Sequence, residues 1–261
     1  MPKTRQVPES ATDYALGAPT GAGVLPHGFQ IDAHVHADGL LVYAVSGVVA
    51  TVTERGTWVA PASRIIWTPP GFEHAHRFYG ETDVRVVDVP LTACGALPPE
   101  PGVFTVSPLL REALLALTDL PETRAGAHDR LREVVVDELV EAPDRSIRLP
   151  EPQDDRLHAV TAILHADPAE PATLAHLGRR VGASERTLSR LFHRELGMSF
   201  HQWRTVLRIH HALLHLGEGM SVIDTATTCG WANPTSFIEA FSAIVGQTPG
   251  RYQSELRDRA R

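Results

Sequence analysis

GASERTLSRLFHRELGMSFHQWR, residues 182–204, is the stretch whose reading decides the fold. Gly182 permits a left-handed turn that ends one helix. Ser184 then caps the next, and Leu188, Leu191 and Phe192 recur at helical spacing on one side of it. That leaves Glu185, Arg186, Ser189 and Arg190 outward on the first two turns, with Arg194 a turn further on. Just upstream, Thr173 caps a short helix, LAHLGRRV, in which Gly178 is small where a second helix must cross closely. Two short helices joined by a tight turn, the second with a polar outer face, form a helix-turn-helix.

The unit is used twice. Leu188, Phe192, Gly197 and Trp203 recur as Phe237, Phe241, Gly246 and Tyr252, each 49 residues later, and Gly178 and Gly182 recur as Ala226 and Gly230, 48 residues later. A fixed displacement of apolar, glycine and aromatic positions implies one structural unit in two copies. In the second copy Asn233 is the cap, Pro234 suits the first helical turn, and Phe237, Phe241 and Ile244 are the expected buried side. Between the copies a helix over 199–216 is expected, a rod of about 27 Å. One turn of duplex DNA is about 34 Å. A rod of that length can hold two reading helices against successive major-groove faces, which implies an asymmetric site read by one subunit.

Charge supports this only locally. The 261-residue chain carries a net charge of −7, but residues 151–261 balance 12 Arg against 12 Asp and Glu. Between Thr173 and Arg208 seven arginines (179, 180, 186, 190, 194, 204, 208) face only Glu185 and Glu195, a candidate phosphate-facing surface. A solvated helical face is the plain alternative.

The segment 182–204, followed by DTATTCGWANPTSFIEAFSAIVGQTPGRY (224–252), resembles the AraC/XylS family of transcription regulators, down to the ending Gly246, Pro249, Tyr252. The resemblance covers roughly the last hundred residues. It implies double-stranded DNA as partner, with RNA polymerase as a further one, in an activator or a repressor. It also implies DNA contacts from Ser184, Glu185, Arg186, Ser189, Arg190 and Arg194 in the first unit, and from Asn233, Thr235, Ser236 and Glu239 in the second. One departure stands out: residues 233–245 hold no Lys or Arg and one acid, Glu239. The first unit is therefore expected to supply most of the affinity and the second to tune register.

The N-terminal half reads differently. Residues 1–27 are a loose Pro/Gly/Ala lead-in without an apolar signal region. Strands are expected within 40–47, 48–56, 57–60, 63–71 and 82–90, punctuated by glycine. Short strands of even spacing suggest a small β-barrel or jelly roll. His34-x-His36 and a later Thr-Pro-Pro-Gly-Phe-Glu-His ending at His74 resemble the two motifs of a cupin barrel, whose histidines converge inside it. Leu40 and Leu41 stand where a cupin enzyme places its glutamate. Three readings stay open for His34, His36, His74 and the neighbouring His76: a site for a divalent ion such as Zn, Ni or Co, a metal-free pocket for a small-molecule effector, or barrel residues without a ligand. Tyr43, Trp58, Trp67 and Phe72 either wall such a pocket or are plain core.

Helices are expected over 107–120, with Leu110, Leu114 and Leu117 on one face, and over 127–142, with Leu131, Val135 and Leu139. The barrel is a candidate homodimer surface, and the second helix is the other candidate unless it packs on its own domain. Prolines 143, 150 and 152 mark a linker. His210, His211 and His215 on the rod are read as structural or solvent-facing, and Cys229 as a small core residue. The fold class is thus α+β: a cupin-like sensing barrel (1–105), a helical connector and linker (106–152), and an all-α tandem helix-turn-helix domain (153–261). Two distant cysteines, no apolar run of membrane length and no visible leader suit a cytoplasmic protein. The rival from another class is a metal-dependent cupin enzyme with a helical accessory domain.

Overall fold

The computed structural model describes residues 20–62, 64–119, 125–143 and 147–259. Most of the lead-in 1–27 and the middle of the linker lie outside them. The chain divides into two compact units just before Ile147, with residues 55–57 grouped with the second and residues from 256 onward with the first.

The first unit is a double-sheet jelly roll. Its strands are β1 (Gly21–Leu25), β2 (Gln30–His34), β3 (Gly39–Ala44), β4 (Val48–Thr53), β5 (Gly56–Pro61), β6 (Arg64–Thr68), β7 (His74–Tyr79), β8 (Thr82–Val89) and β9 (Gly102–Thr105). One sheet runs β1-β8-β3-β6-β9, and the other contains the order β5-β4-β7-β2. The first strand thus lies beside the eighth, the second beside the seventh and the third beside the sixth, all antiparallel. That is the wrapping of a long hairpin rolled into two facing sheets. Leu40, Val42, Ala44, Val49, Trp58, Ile66, Phe78, Val84 and Val86 fill the interior.

The alternate residues of β3 and β6 (Leu41, Tyr43, Ile65, Trp67) point the other way, as strand pleating requires. They are covered by two helices, α1 (Pro108–Asp119) and α2 (Ala125–Glu141). Leu110, Leu114 and Leu117 are fully buried there, with Val135 and Leu139 opposite. The stripe on α2 is therefore packed against its own unit. Tyr43, Trp58 and Trp67 belong to the two cores, so they are packing residues.

Four strands of this unit escape the sequence pattern: β1, which emerges from the lead-in, and β2, β7 and β9. A short β10 (Arg148–Pro150) also lies in the expected linker.

The second unit contains α3 (Asp155–Ala166), α4 (Leu174–Arg180), α5 (Glu185–Leu196), α6 (Phe200–Gly217), α7 (Val222–Thr228), α8 (Pro234–Val245) and α9 (Pro249–Arg259). The two copies match closely. Both first helices have seven residues and both second helices twelve. In the first copy the Thr173 hydroxyl accepts from the His176 amide and the Ser184 hydroxyl from the Thr187 amide. In the second, Ser221 accepts from Asp224 and the Asn233 side chain from Ser236. Each long helix ends on a left-handed glycine, Gly197 or Gly246. The rod α6 has 18 residues and starts with a capping box of Ser199 and Gln202. Phe237, Phe241 and Tyr252 stack in sequence with ring centres 5.6 and 5.7 Å apart, an arrangement that adds to the roughly 1.5–3 kcal/mol each ring gains by burial. Val245 rather than Ile244 completes that core, Ile244 being half-buried.

Candidate nucleic-acid interface and histidine cluster

The outer face of α5 carries Glu185, Arg186, Arg190 and Arg194 exposed, with Ser189 half-buried among them. Ser184 and Asn233 are exposed too, but their side-chain oxygens are occupied as helix caps. On α8, Thr235, Ser236 and Glu239 are exposed. Two residues absent from the sequence reading share these faces. His193 is exposed one turn after Ser189, its Nδ1–H donating to the Ser189 carbonyl at 2.8 Å. Ile238 is 36% exposed beside Glu239, an apolar side chain where the pattern led one to expect only polar ones.

The arginine count overstates the phosphate-facing charge. Arg180 pairs with Glu170 at 3.1 Å and Arg194 with Glu195 at 2.7 Å. Arg204 donates to the Ala172 carbonyl at 3.1 Å and stands over the Phe200 ring. Arg208 donates from Nε to the Pro168 carbonyl at 2.8 Å and stands over the Trp231 ring. Burial lowers the pKa of both Arg204 and Arg208, so these two are internal fasteners. Arg186 and Arg190 are exposed and have no ion pair among the described residues. Arg179, exposed on α4, likewise has no ion pair among the described residues and lies against His176 at 3.4 Å, so the local excess of five charges reduces to Arg186 and Arg190 on α5 with Arg179 on α4.

Two glycines sit where another part of the chain comes too close for a side chain. A Cβ on Gly178 would lie 2.4 Å from the Ala183 carbonyl oxygen. A Cβ on Gly230 would lie 2.7 Å from both the Ala169 backbone and the Arg208 guanidinium. His210 is buried on the rod and its Nε2–H donates to the Ile147 carbonyl at 2.5 Å, so it is structural. Cys229 is fully buried, and burial pushes its thiol up to about 12, as expected of a core residue.

In the barrel, β2 and β7 bring four imidazoles together. His34 faces His74 in register across the pair, at a local irregularity of β2. Ring centres are 4.4 Å apart for His34 and His74, 5.0 Å for His74 and His76, and 4.8 Å for His34 and His36. Nitrogens of His34, His74 and His76 all lie within 4.8 Å of one another. Outward anchors fix the rings: His34 Nδ1 donates to the Asp32 carbonyl at 2.7 Å and His74 Nδ1 to the Phe72 carbonyl at 2.8 Å. His76 Nδ1 meets the Thr51 hydroxyl at 3.0 Å. The Nε2 atoms of His36, His74 and His76 are buried without a hydrogen-bond partner among the described residues. Desolvation lowers the His74 pKa to about 4, helped by charge from His34 and His36 and opposed by the Phe72 bond. His76 is lowered well below 6.5 by burial and by its neighbours, and His36 is lowered by burial and by His34. His36, His74 and His76 are thus held toward the neutral form. Leu40 is buried in the interior core and Leu41 on the opposite face of the sheet.

Two successive capped helix-turn-helix units with polar outer faces define a DNA-binding protein. A family model described as a helix-turn-helix domain matches residues 177–255. The chain is 31% identical to the HTH-type transcriptional regulator NimR of Escherichia coli K12 over 232 residues, which is 85% of this chain and 82% of NimR. It is 32% identical over 109 residues to the regulator RipA of Corynebacterium glutamicum, covering 42% of this chain and 33% of RipA, so that it spans a third of that protein. A crystal structure of a DNA-binding transcriptional dual regulator from Escherichia coli K-12 aligns with 41% of this chain and 96% of its own, at 27% identity and a TM-score of 0.37. The chain belongs to the AraC/XylS family of helix-turn-helix transcription regulators.

Proposed function

We propose that this regulator binds an asymmetric promoter site of two half-sites, laying α5 and α8 into successive major-groove faces, and that the histidine-lined barrel senses the controlling signal. One observation supports the reading: the two capped units are joined by the continuous 18-residue rod α6, whose length of about 27 Å suits a pair of contacts about one duplex turn apart. Arg186, Ser189 and Arg190 are the base and phosphate contacts of the first unit, and Thr235, Ser236 and Glu239 those of the second. Glu185 is placed to accept from a cytosine amino group. Arg194 is held by Glu195, and Ser184 and Asn233 act chiefly as caps. Ile238 supplies the apolar contact that a thymine methyl calls for.

The regulator is not an enzyme on this reading, since where a cupin enzyme would use a carboxylate this chain has Leu40, which lines the cavity beside the imidazoles, and Leu41, which faces away from it. The division of labour is a barrel over 1–105, a connector over 106–152 and a reading domain over 153–261. The protein works in the cytoplasm, where its promoter is. Among the described residues no helix is long and apolar enough to cross a membrane. RNA polymerase is the natural downstream partner, and a second copy is a further one.

Footprinting of the full chain on promoter DNA is the test. Protection of two major-groove patches about one turn apart on one face of the duplex is expected. Protection of a single patch, or of a palindrome by two chains, would overturn the bipartite reading.

A further inference from the structure

We infer that His34, His74 and His76 form a binding site for one late first-row divalent metal ion, with His36 beside them as the fourth nitrogen donor. This rests on the reading of the barrel as the sensing unit and names its ligand.

Tautomers carry the argument first. A backbone carbonyl can only accept, so the Nδ1 atoms of His34 and His74 hold the ring protons, and each Nε2 keeps its lone pair. Outward Nδ1 anchors on a carbonyl or hydroxyl are the arrangement that orients imidazoles toward a metal. Here they are found on all three rings, the third through Thr51.

Burial comes next. His74 and His76 are almost fully buried, 2% and 3% exposed, and aim partnerless Nε2 atoms into the cluster. A buried polar atom without a partner is costly, and an ion bound by all of them removes that cost at once.

Size decides between an ion and an organic effector. The cavity beside the cluster, lined by His34, His36 and His76 with Leu25, Ile31 and Phe78 among its apolar walls, has a free volume of about 20 Å³. That is room for one water or one ion; drug-sized ligands occupy pockets of roughly 300–1,000 Å³.

The donor set names the class. It is all imidazole, with no carboxylate or thiolate in the group. Imidazole suits zinc, copper, nickel and cobalt, whereas magnesium, calcium and manganese favour oxygen. Zinc–nitrogen bonds of about 2.0–2.1 Å require each ring to close in by less than roughly 1 Å. His76 is the ligand that the sequence motifs do not single out. It lies two residues from His74, so strand alternation puts both on the inner face of β7.

The experiment uses the full-length chain stripped with a chelator, then titrated with Zn²⁺ or Co²⁺ by calorimetry and by the visible spectrum of the cobalt form. One ion per chain and a four-coordinate cobalt spectrum are expected. His34→Gln, at a half-exposed strand end where folding is spared, should weaken binding at least about a hundredfold. Thr51→Val removes no ligand and should weaken it about tenfold through His76. No stoichiometric ion, or unchanged affinity in both variants, would overturn the site. Promoter binding with and without Zn²⁺ separates this from the sensing reading. A tight ion that leaves promoter affinity unchanged defeats the sensing role and leaves the site standing. A promoter response to a small molecule in stripped protein, with no ion bound, does the reverse.

Discussion

The guanidinium carbon of Arg208 stands 5.7 Å from the ring centre of Trp231. Arg208 belongs to the rod and Trp231 to the turn of the second unit, and the same guanidinium group donates to Pro168 in the loop leading to the first unit. Three segments meet at one side chain, close to where Gly230 presses on Ala169. The angle between the reading heads is therefore set by this contact as well as by the rod. Arg208→Gln is expected to lower affinity for a two-half-site duplex about tenfold and to leave binding to an isolated first half-site unchanged. Arg208→Lys keeps the charge but loses the planar stack and is expected to rescue only in part. Parallel loss on both duplexes in gel-shift titrations would show that Arg208 merely supports folding.

The two outer faces differ in charge. Arg190→Ala is expected to cost about 1–3 kcal/mol of promoter binding if the side chain reads a guanine. Glu239→Ala is expected to leave nonspecific affinity unchanged or raise it, because it removes a negative charge near phosphates. A greater loss from Glu239→Ala than from Arg190→Ala would reverse the ranking of the two units.

Two glycines make a paired test of crowding. Gly178→Ala puts a methyl 2.4 Å from a backbone oxygen, so α4 and α5 must part, at about 1–3 kcal/mol. Gly250→Ala, in α9, meets nothing within 4 Å and is expected to stabilise by up to about 1 kcal/mol through helix propensity. Thermal unfolding of the two variants should move in opposite directions, and equal shifts would refute the packing argument.

Acid sensitivity follows from His210. Burial lowers its pKa to about 4 from an ordinary 6.5, the bond to Ile147 opposing this and the charges of His211 and His165 adding to it. The unfolded chain takes up the proton first as pH falls below 6.5. Stability is therefore complete above that value and declines as pH falls toward about 4, by about 3 kcal/mol from this group. His210→Gln keeps an N–H donor and loses the titration. Its denaturation free energy should fall less steeply over that window, and parallel curves for the two proteins would rule the residue out as the cause.

The helical unit was legible because its signals are local. Ser184, Asn233, Gly182 and Gly246 each act within four residues of themselves, and the 48- and 49-residue displacements put their agreement on view. The α+β class followed in the same way from the change of period near residue 107. The four histidines were legible as candidates, His34, His36 and His74 by motif and His76 as their neighbour, but β7 itself was not. Its inward residues are His74, His76 and Phe78, so an alternating strand looks polar when histidines take the core positions. Which arginines are free was not legible, because Glu170, Pro168 and Ala172 are near in space and distant in sequence. Ile244 and Val245 are adjacent apolar residues at the end of α8, and both i+3 and i+4 from Phe241 fit a helical stripe, so the pattern did not tell them apart.

The duplication is not a symmetric one. Where the first head has Ala183, the second has Trp231, and one additional residue, Ala232, precedes its cap. That enlarged corner is what Arg208 grasps, and the first head offers it nothing equivalent. A chimera with the heads exchanged would keep both helices and lose the clasp, so on the proposed reading the protein carries an arrow along the DNA: it accepts the two half-sites in one order, and a duplex with the half-sites swapped is expected to go unread.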